Sequence, residues 1–382
     1  MTAVRLEVAD AYWTPGSGLV EPTGGAAVAL DRRGEPVEYG AAAEIAARYP
    51  GLETKEGAGV LLPGLVDCHA HLECAGLAGL VPSGEGLGAW VSALVKARAP
   101  LTIGDLSAAA LRAAHEMRAL GTVAAADVCT IIATRPILAA AGLMGISLLE
   151  IVGANDEAAQ ASLNGLMVRG VEAEYPEDEV SSRPVPHSAY GTTAKAIKRL
   201  VRSGGLGVRS IHAAEHPDEN AWLERGEGPF APFLLSKGAV SPGQRPLPYL
   251  DSLGAIGKST LLVHLVTADQ DELRMAADRG ATAVLCPRSN LHIGGRLPDL
   301  RAVRAAGLRY VLGTDSLASS PDHDLLGEVA VLAEDFPDVP PDELLEAATV
   351  GGARALGLAR HPWVRVDRAR LGFLVPRAGG VA

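Results

Sequence analysis

Cysteine is scarce in this chain: four residues, Cys68, Cys74, Cys129 and Cys286, with no CxxC pair. A chain of 382 residues is too large to need disulfide staples, so reduced thiols and a cytoplasmic setting are expected. Aromatic residues make up only 4%, so the core must be built mostly from Ala, Val, Leu and Ile. No apolar run reaches about 18 uncharged residues, which predicts no membrane span. The opening "MTAVRLEVADAYWTPG" lacks a charged leader followed by an apolar stretch, so no signal peptide is expected. There is no basic patch either. The 34 Lys and Arg are scattered against 45 Asp and Glu, the net charge is -11, and nucleic acid is excluded as a partner.

What is present is punctuation followed by repetition. Residues 1–60 read as short strands broken by "PGSG", "PTGG" and "DRRGEP". Beyond residue 60, apolar runs alternate with Ala/Leu-rich helical stretches. The runs are "GVLLPGLVD", "GTVAAADV", "GISLLEIVG", "VSSRPVPHSAY", "GVRSIHAAE", "STLLVHLVT", "ATAVLCPRS" and "LRYVLGTDS". Eight strand–helix units predict an α/β fold, a (β/α)₈ TIM barrel over residues 61–357. The fourth strand is the weakest, because two prolines interrupt it. The tail "PWVRVDRARLGFLVPRAGGVA" returns to strand-like alternation. It is expected to join residues 1–60 in a small β-sandwich domain, from about residue 358 to 382.

Polar residues then fall at the strand ends. His69 and His71 end the first strand, His187 the fourth, His212 the fifth with Glu215 just beyond, His264 the sixth and Asp315 the eighth. In such barrels the C-terminal strand ends form the active face. Residues i and i+2 share one face of a strand, so both imidazoles of "HAH" can point inward. Imidazoles with a carboxylate suit a borderline divalent cation that keeps one position for water. His69, His71, His212 and Asp315 are the expected ligands; one divalent ion is expected, zinc before iron.

The stretches "PGLVDCHAHLE", "IHAAEHPDE", "LVHLVTADQDE", "CPRSNLHIGG" and "LGTDSLASS", in this order, resemble the amidohydrolase superfamily and its deaminase and chlorohydrolase branch. The resemblance implies that the HxH pair, the strand-five His and the strand-eight Asp hold the metal. Some members bridge two metals with a lysine after strand four. Here no lysine stands between Lys96 and Lys195, so one metal is expected, with Glu150 read as a hydrogen-bonded carboxylate behind the site. The resemblance further implies that Asp315 is ligand and base and that His264 hydrogen-bonds the attacking hydroxide. Glu215, the acid of HxxE, shuttles protons to the ring nitrogen and the leaving amine. His187 contacts substrate, and Ser289 and Asn290 shape the loop after strand seven as substrate-binding residues. His292 in that loop is a weaker candidate to line the pocket.

The stretch "GLVPSGEGLGAWVSALVKAR" resembles the pocket cover of nucleoside deaminases, with Trp90 closing the mouth. In the adenosylhomocysteine deaminases an acid two positions before that Trp binds ribose; here the position is Gly88, and Glu85 is out of register. The pattern is more similar to the aminodeoxyfutalosine deaminases of menaquinone biosynthesis. Their substrate carries an adenine and a benzoate, and Arg183 or Arg288 could meet the carboxylate. The expected reaction is hydroxide attack at C6 of 6-amino-6-deoxyfutalosine with release of ammonia. The alternatives are a methylthioadenosine or adenosylhomocysteine deaminase, a guanine, pterin or triazine amino- or chlorohydrolase, and, remotely, a non-catalytic scaffold. The expected partner is a small nucleoside-like molecule; a homodimer is left open.

Overall fold

The computed structural model describes residues 2–168, 179–203 and 207–374. Eight parallel strands dominate it: β1 Leu65–Ala70, β2 Thr122–Cys129, β3 Met144–Ile151, β4 Val180–Pro186, β5 Arg209–Ala213, β6 Thr260–His264, β7 Thr282–Leu285 and β8 Arg309–Leu312. They form two arcs, β1 to β4 and β5 to β8. Parallel bridges join them, Ser188 with His212 on one side and Ala70 with Asp315 on the other, so the ring closes. Every residue of β1, β2 and β3 is buried, as expected when helices cover one face of a parallel sheet and the barrel interior the other.

Strand four does form, but its prolines leave a mark. Pro184 and Pro186 have no N–H to donate. β4 meets β5 just past them, where the His212 N–H donates to the His187 carbonyl at 2.9 Å. The run expected as a single first strand is in fact two strands. Val60–Pro63 pairs with Trp363–Val366 and Ala11–Thr14, outside the barrel, and β1 begins only at Leu65. Gly64 makes the break. A Cβ there would lie 2.4 Å from Val123 and 2.8 Å from the Pro362 carbonyl, so only glycine lets the chain pass.

The remaining strands form two four-stranded sheets. One holds Pro36–Ala41, Ala26–Leu30, Arg5–Ala9 and Glu53–Glu56; the other holds Trp363–Val366, Val60–Pro63, Ala11–Thr14 and Gly18–Val20. Val28 and Leu30 of the first pack with Leu61 and Trp363 of the second, which makes a sandwich.

The helices are set locally. The helix Ile103–Ala119 starts on a reciprocal cap between Thr102 and Asp105. It buries Leu106, Ala109, Ala110, Ala113, Ala114 and Met117, a stripe of helical period. Helix Gln270–Asp278 starts on the same device, with Asp269 and Glu272. No described helix is long and apolar enough to cross a membrane.

Candidate active site

The site forms where the two ends of the barrel sheet meet. The Asp315 N–H donates to the His69 carbonyl at 2.9 Å, and the His71 N–H donates to the Asp315 carbonyl at 3.1 Å. Strand eight can approach this closely because Gly313 lies against His69; a Cβ at 313 would sit 2.7 Å from both Cβ and O of His69. The backbone is strained here. Four described non-glycine residues have positive φ, Ala214 (52°), His264 (78°), Leu265 (56°) and Asp315 (60°), and all follow or end β5, β6 or β8. Each costs about 1–3 kcal/mol. That strain is tolerated where the turns re-aim side chains into the mouth.

His69 and His71 come together as expected, their Nε2 atoms 3.1 Å apart. His71 Nε2 is 3.3 Å from His212 Nε2 and 3.7 Å from Asp315 Oδ1, and His69 Nε2 is 4.0 Å from the same oxygen. Three ring nitrogens and a carboxylate oxygen thus face one small volume. Lone-pair nitrogens at such spacing repel unless a cation or protons lie between them, so the donor set fits a divalent ion. His69, His71, His212 and Asp315 are the residues that would hold it.

The groups behind these atoms fix their orientation. His212 Nδ1 donates to the His187 carbonyl at 2.9 Å and lies 3.2 Å from Glu150 Oε1, which leaves Nε2 for the cluster. Burial opposes a charged His212 ring, yet Glu150 pushes its pKa up to about 10. Burial likewise works to raise Glu150, but His187 and His212 hold it at about 2. Glu150 therefore makes His212 more basic, and no lysine takes part. Asp315 lies below the ordinary carboxylate range: burial would raise it, and His71, His264 and a 2.5 Å hydrogen bond from Ser289 more than offset that.

Glu215 sits beside this cluster, its Oε1 3.6 Å from His264 Nε2. Burial raises its carboxyl to about 8, with Asp315 and Glu219 reinforcing and His212 opposing. Burial thus favours its protonated form more than for an ordinary glutamate. Glu219, one helical turn on, accepts the Glu215 N–H at 2.8 Å and holds that turn in place. Burial keeps the His264 ring neutral, its pKa down at about 3 against the pull of Asp315, and Asn290 lies 3.0 Å from His264 Nδ1.

Ser289 and Asn290, expected to bind substrate, instead brace Asp315 and His264 and are buried away from the cavity. The Arg288 guanidinium is engaged by Glu328 at 2.6 Å and Asp322 at 2.8 Å, and neither it nor Arg183 lines the cavity. His292 sits 3.3 Å from the Val81 carbonyl and ties down the loop over the mouth. His187 does line the cavity, with Nδ1 2.8 Å from Ser188 Oγ, and so does Trp90, whose Nε1–H points at the Ala318 carbonyl 3.4 Å away.

Over these residues lies a cavity of about 530 Å³. One end holds His71, His212, Glu215, His264 and Asp315. Its walls include Trp90, Leu94, Tyr190, Phe230 and Phe233, and it carries two cations that sequence reading passed over, Arg98 and Lys237. No motif marks those residues; helix and loop geometry brings them in. An open groove of about 860 Å³ lies at the opposite, N-terminal ends of β7 and β8. Arg301, Arg304 and Arg354 there pair with Asp338, Glu343 and Glu346, Arg309 donates to the Gly280 carbonyl, and none of the site residues borders it.

A parallel barrel with three imidazoles, an aspartate and a buried glutamic acid at its C-terminal mouth defines a hydrolase centre of the metal-assisted kind. The model of the amidohydrolase family matches residues 60–361, and the chain belongs to that family. An aminodeoxyfutalosine deaminase of Deinococcus radiodurans is 34% identical over 194 residues, 47% of this chain and 46% of that protein. The matched part is thus about half of each. A 5-methylthioadenosine/S-adenosylhomocysteine deaminase of Haloquadratum walsbyi is 30% identical over 80% of this chain and 69% of its own length. Among solved structures, Helicobacter pylori aminofutalosine deaminase in complex with methylthio-coformycin superposes with a TM-score of 0.80, at 21% identity, over 97% of this chain and 96% of that one. A zinc-bound adenosine deaminase from Xanthomonas campestris gives a TM-score of 0.73 at 23% identity, over 96% of this chain and 83% of that one.

Proposed function

We propose that the protein is a metal-dependent deaminase of adenine-type nucleosides and that its substrate is 6-amino-6-deoxyfutalosine. The observation that carries the reading is Glu215. A carboxyl raised to about 8 stands beside His264 and the imidazole–aspartate cluster. Hydrolysis of an amidine needs such an acid, because ammonia leaves only after the ring nitrogen and the amine are protonated. A divalent ion held by His69, His71, His212 and Asp315, zinc before iron, would lower the pKa of water and so make a nucleophile available at neutral pH.

The rest is done by side chains of the chain itself. Asp315, kept ionised, takes a proton from the water as its oxygen adds to C6. Glu215 gives its proton to N1 of the ring. His264 orients the oxygen by a hydrogen bond. The proton taken up by Asp315 then passes to the departing amine, the C6–N bond breaks with its electron pair leaving on ammonia, and the C6 hydroxyl gives its remaining proton back to the Glu215 carboxylate as its oxygen becomes the carbonyl of the product. His187 faces the ring from the end of β4. The relatives that are named as adenine-nucleoside deaminases support this reading, and the Deinococcus protein supports the futalosine route to menaquinone. A cytoplasmic location goes with it.

The test is kcat/KM for aminodeoxyfutalosine, S-adenosylhomocysteine, methylthioadenosine, adenosine and guanine, read as ammonia released. Aminodeoxyfutalosine should rank first. A clear win for adenosylhomocysteine would overturn the substrate assignment. Preference for guanine, a pterin or a triazine would overturn the adenine reading altogether.

A further inference from the structure

We propose that Arg98 is a specificity-determining residue, which binds an anionic group, a carboxylate, at the end of the substrate remote from the reacting ring, with Lys237 a second cation on the same cavity. This deepens the reading above and rests on it only for the identity of the ring. The observations on Arg98 are independent of any relative.

Arg98 is the last residue of the helix Leu87–Arg98, whose Trp90, Val91, Leu94 and Val95 also line the cavity. Its side chain is only 26% exposed. A guanidinium carries five N–H donors and is expensive to bury without partners. Among the described residues none of these donors makes a hydrogen bond. The nearest carboxylate is Glu73, 3.8 Å from Nη1, beyond hydrogen-bond length. Glu73 does not depend on Arg98. It accepts the Thr130 N–H at 2.9 Å, the Thr130 hydroxyl at 2.5 Å, the Ile131 N–H at 2.8 Å and the Ile132 N–H at 3.3 Å. Arg98 therefore borders the cavity in a long ion pair with Glu73, its donors making no hydrogen bond to the described residues.

Lys237 follows the helix Ala231–Ser236, with its ammonium 5.8 Å from the centre of the Phe233 ring. The residue is exposed to solvent. Asn155 holds its backbone carbonyl at 2.9 Å. The cavity thus has acid–base groups at one end, aromatic and aliphatic walls, and two cations on its lining, Arg98 in a long ion pair with Glu73 and Lys237 exposed to solvent. That pattern fits an amino-substituted ring, an apolar or aromatic arm and a terminal anion. The apolar walls and the nearby Glu73 favour a monoanionic carboxylate over a phosphate dianion. A planar guanidinium matches a carboxylate with two parallel hydrogen bonds.

The experiment uses the metal-loaded full chain and its variants Arg98→Gln, Arg98→Lys and Lys237→Gln. The probes are aminodeoxyfutalosine, its carboxamide counterpart, adenosine 5′-phosphate and methylthioadenosine. The wild type should prefer carboxylate to carboxamide at least about tenfold in kcat/KM, mainly through KM, since a site built to pair with a polar group rejects analogues lacking it. Arg98→Gln should erase that preference, losing at least about tenfold more on the carboxylate than on methylthioadenosine. Arg98→Lys should restore part of it, and Lys237→Gln should cost severalfold on the carboxylate. Equal losses of Arg98→Gln on carboxylate and carboxamide would overturn the assignment, since a purely structural role predicts that result. Preference for adenosine 5′-phosphate would overturn the carboxylate.

A second measurement needs no turnover. Benzoate and benzamide binding is followed by tryptophan fluorescence, Trp90 lying on the same cavity. Benzoate should bind saturably and more tightly than benzamide, and Arg98→Gln should remove the difference. Absent or equal binding overturns the anion subsite. A wild type that binds benzoate in this way but deaminates no adenine nucleoside overturns the proposed function and leaves Arg98 in place.

Discussion

The hydroxyl of Ser289 lies 2.5 Å from Oδ2 of Asp315, so the helix after β7 holds the carboxylate that follows β8. A second contact at 2.9 Å, to the Ser319 hydroxyl, fixes the Ser289 rotamer. A hydrogen bond to a charged group contributes about 1.5–3 kcal/mol. Ser289→Ala should therefore lower kcat by about tenfold or more while the fold persists. The check is kcat on protein of verified metal content and unchanged circular dichroism; unaltered kcat would show that Asp315 needs no such brace.

Glu215 gives a rate and a pH prediction together. With its carboxyl near about 8, the protonated form that donates to the ring is lost as pH rises through that value, so kcat should fall on the alkaline side. Glu215→Gln keeps the shape and removes the proton. The rate should drop by about a hundredfold or more, and the alkaline limb assigned to this group should vanish. Full activity in the metal-bound variant would make Glu215 a bystander.

Metal content follows from the cluster. Elemental analysis should find about one equivalent of zinc or iron per chain. Chelation should abolish turnover and lower Tm, because an ion that binds only the folded state stabilises it by mass action. His71→Ala should reduce bound metal. Two equivalents at the site would contradict the single-ion assignment.

Buried carboxyls set the pH dependence of stability. Asp127 is fully buried, accepts the Leu72 N–H at 2.8 Å, and is raised by burial to about 8. Asp67 and Glu219 are raised to about 7, also by burial. The unfolded chain sheds these protons from about pH 4 upward, whereas the folded chain keeps them until pH 7 or 8. The folded state thus binds more protons in that window, and these groups should make stability fall as pH rises through it. Thermal unfolding from pH 5 to 8 should show a declining contribution that flattens in Asp127→Asn. An identical slope in the variant would remove Asp127 from the account.

Much of this was legible along the chain. Apolar runs of strand length separated by Ala/Leu stretches dictate alternating strands and helices, and alternation of side chains along a strand dictates that His69 and His71 share a face. Histidines and an aspartate at the ends of five of the eight strands already imply one polar cluster, because a closed barrel brings all strand ends to one rim. Only the tertiary structure decided the rest. That Val60–Pro63 leaves the barrel depends on a clash at Gly64 with Val123 and Pro362, residues distant in sequence. That Ser289 and Asn290 brace Asp315 and His264, and that Arg288 is consumed by Glu328 and Asp322, depends on which neighbours reach a side chain first. Arg98 and Lys237 carry no local pattern at all. Their place on the cavity follows from where two helices end in space, and a one-dimensional pattern records periodicity and spacing but not the distance between separate elements.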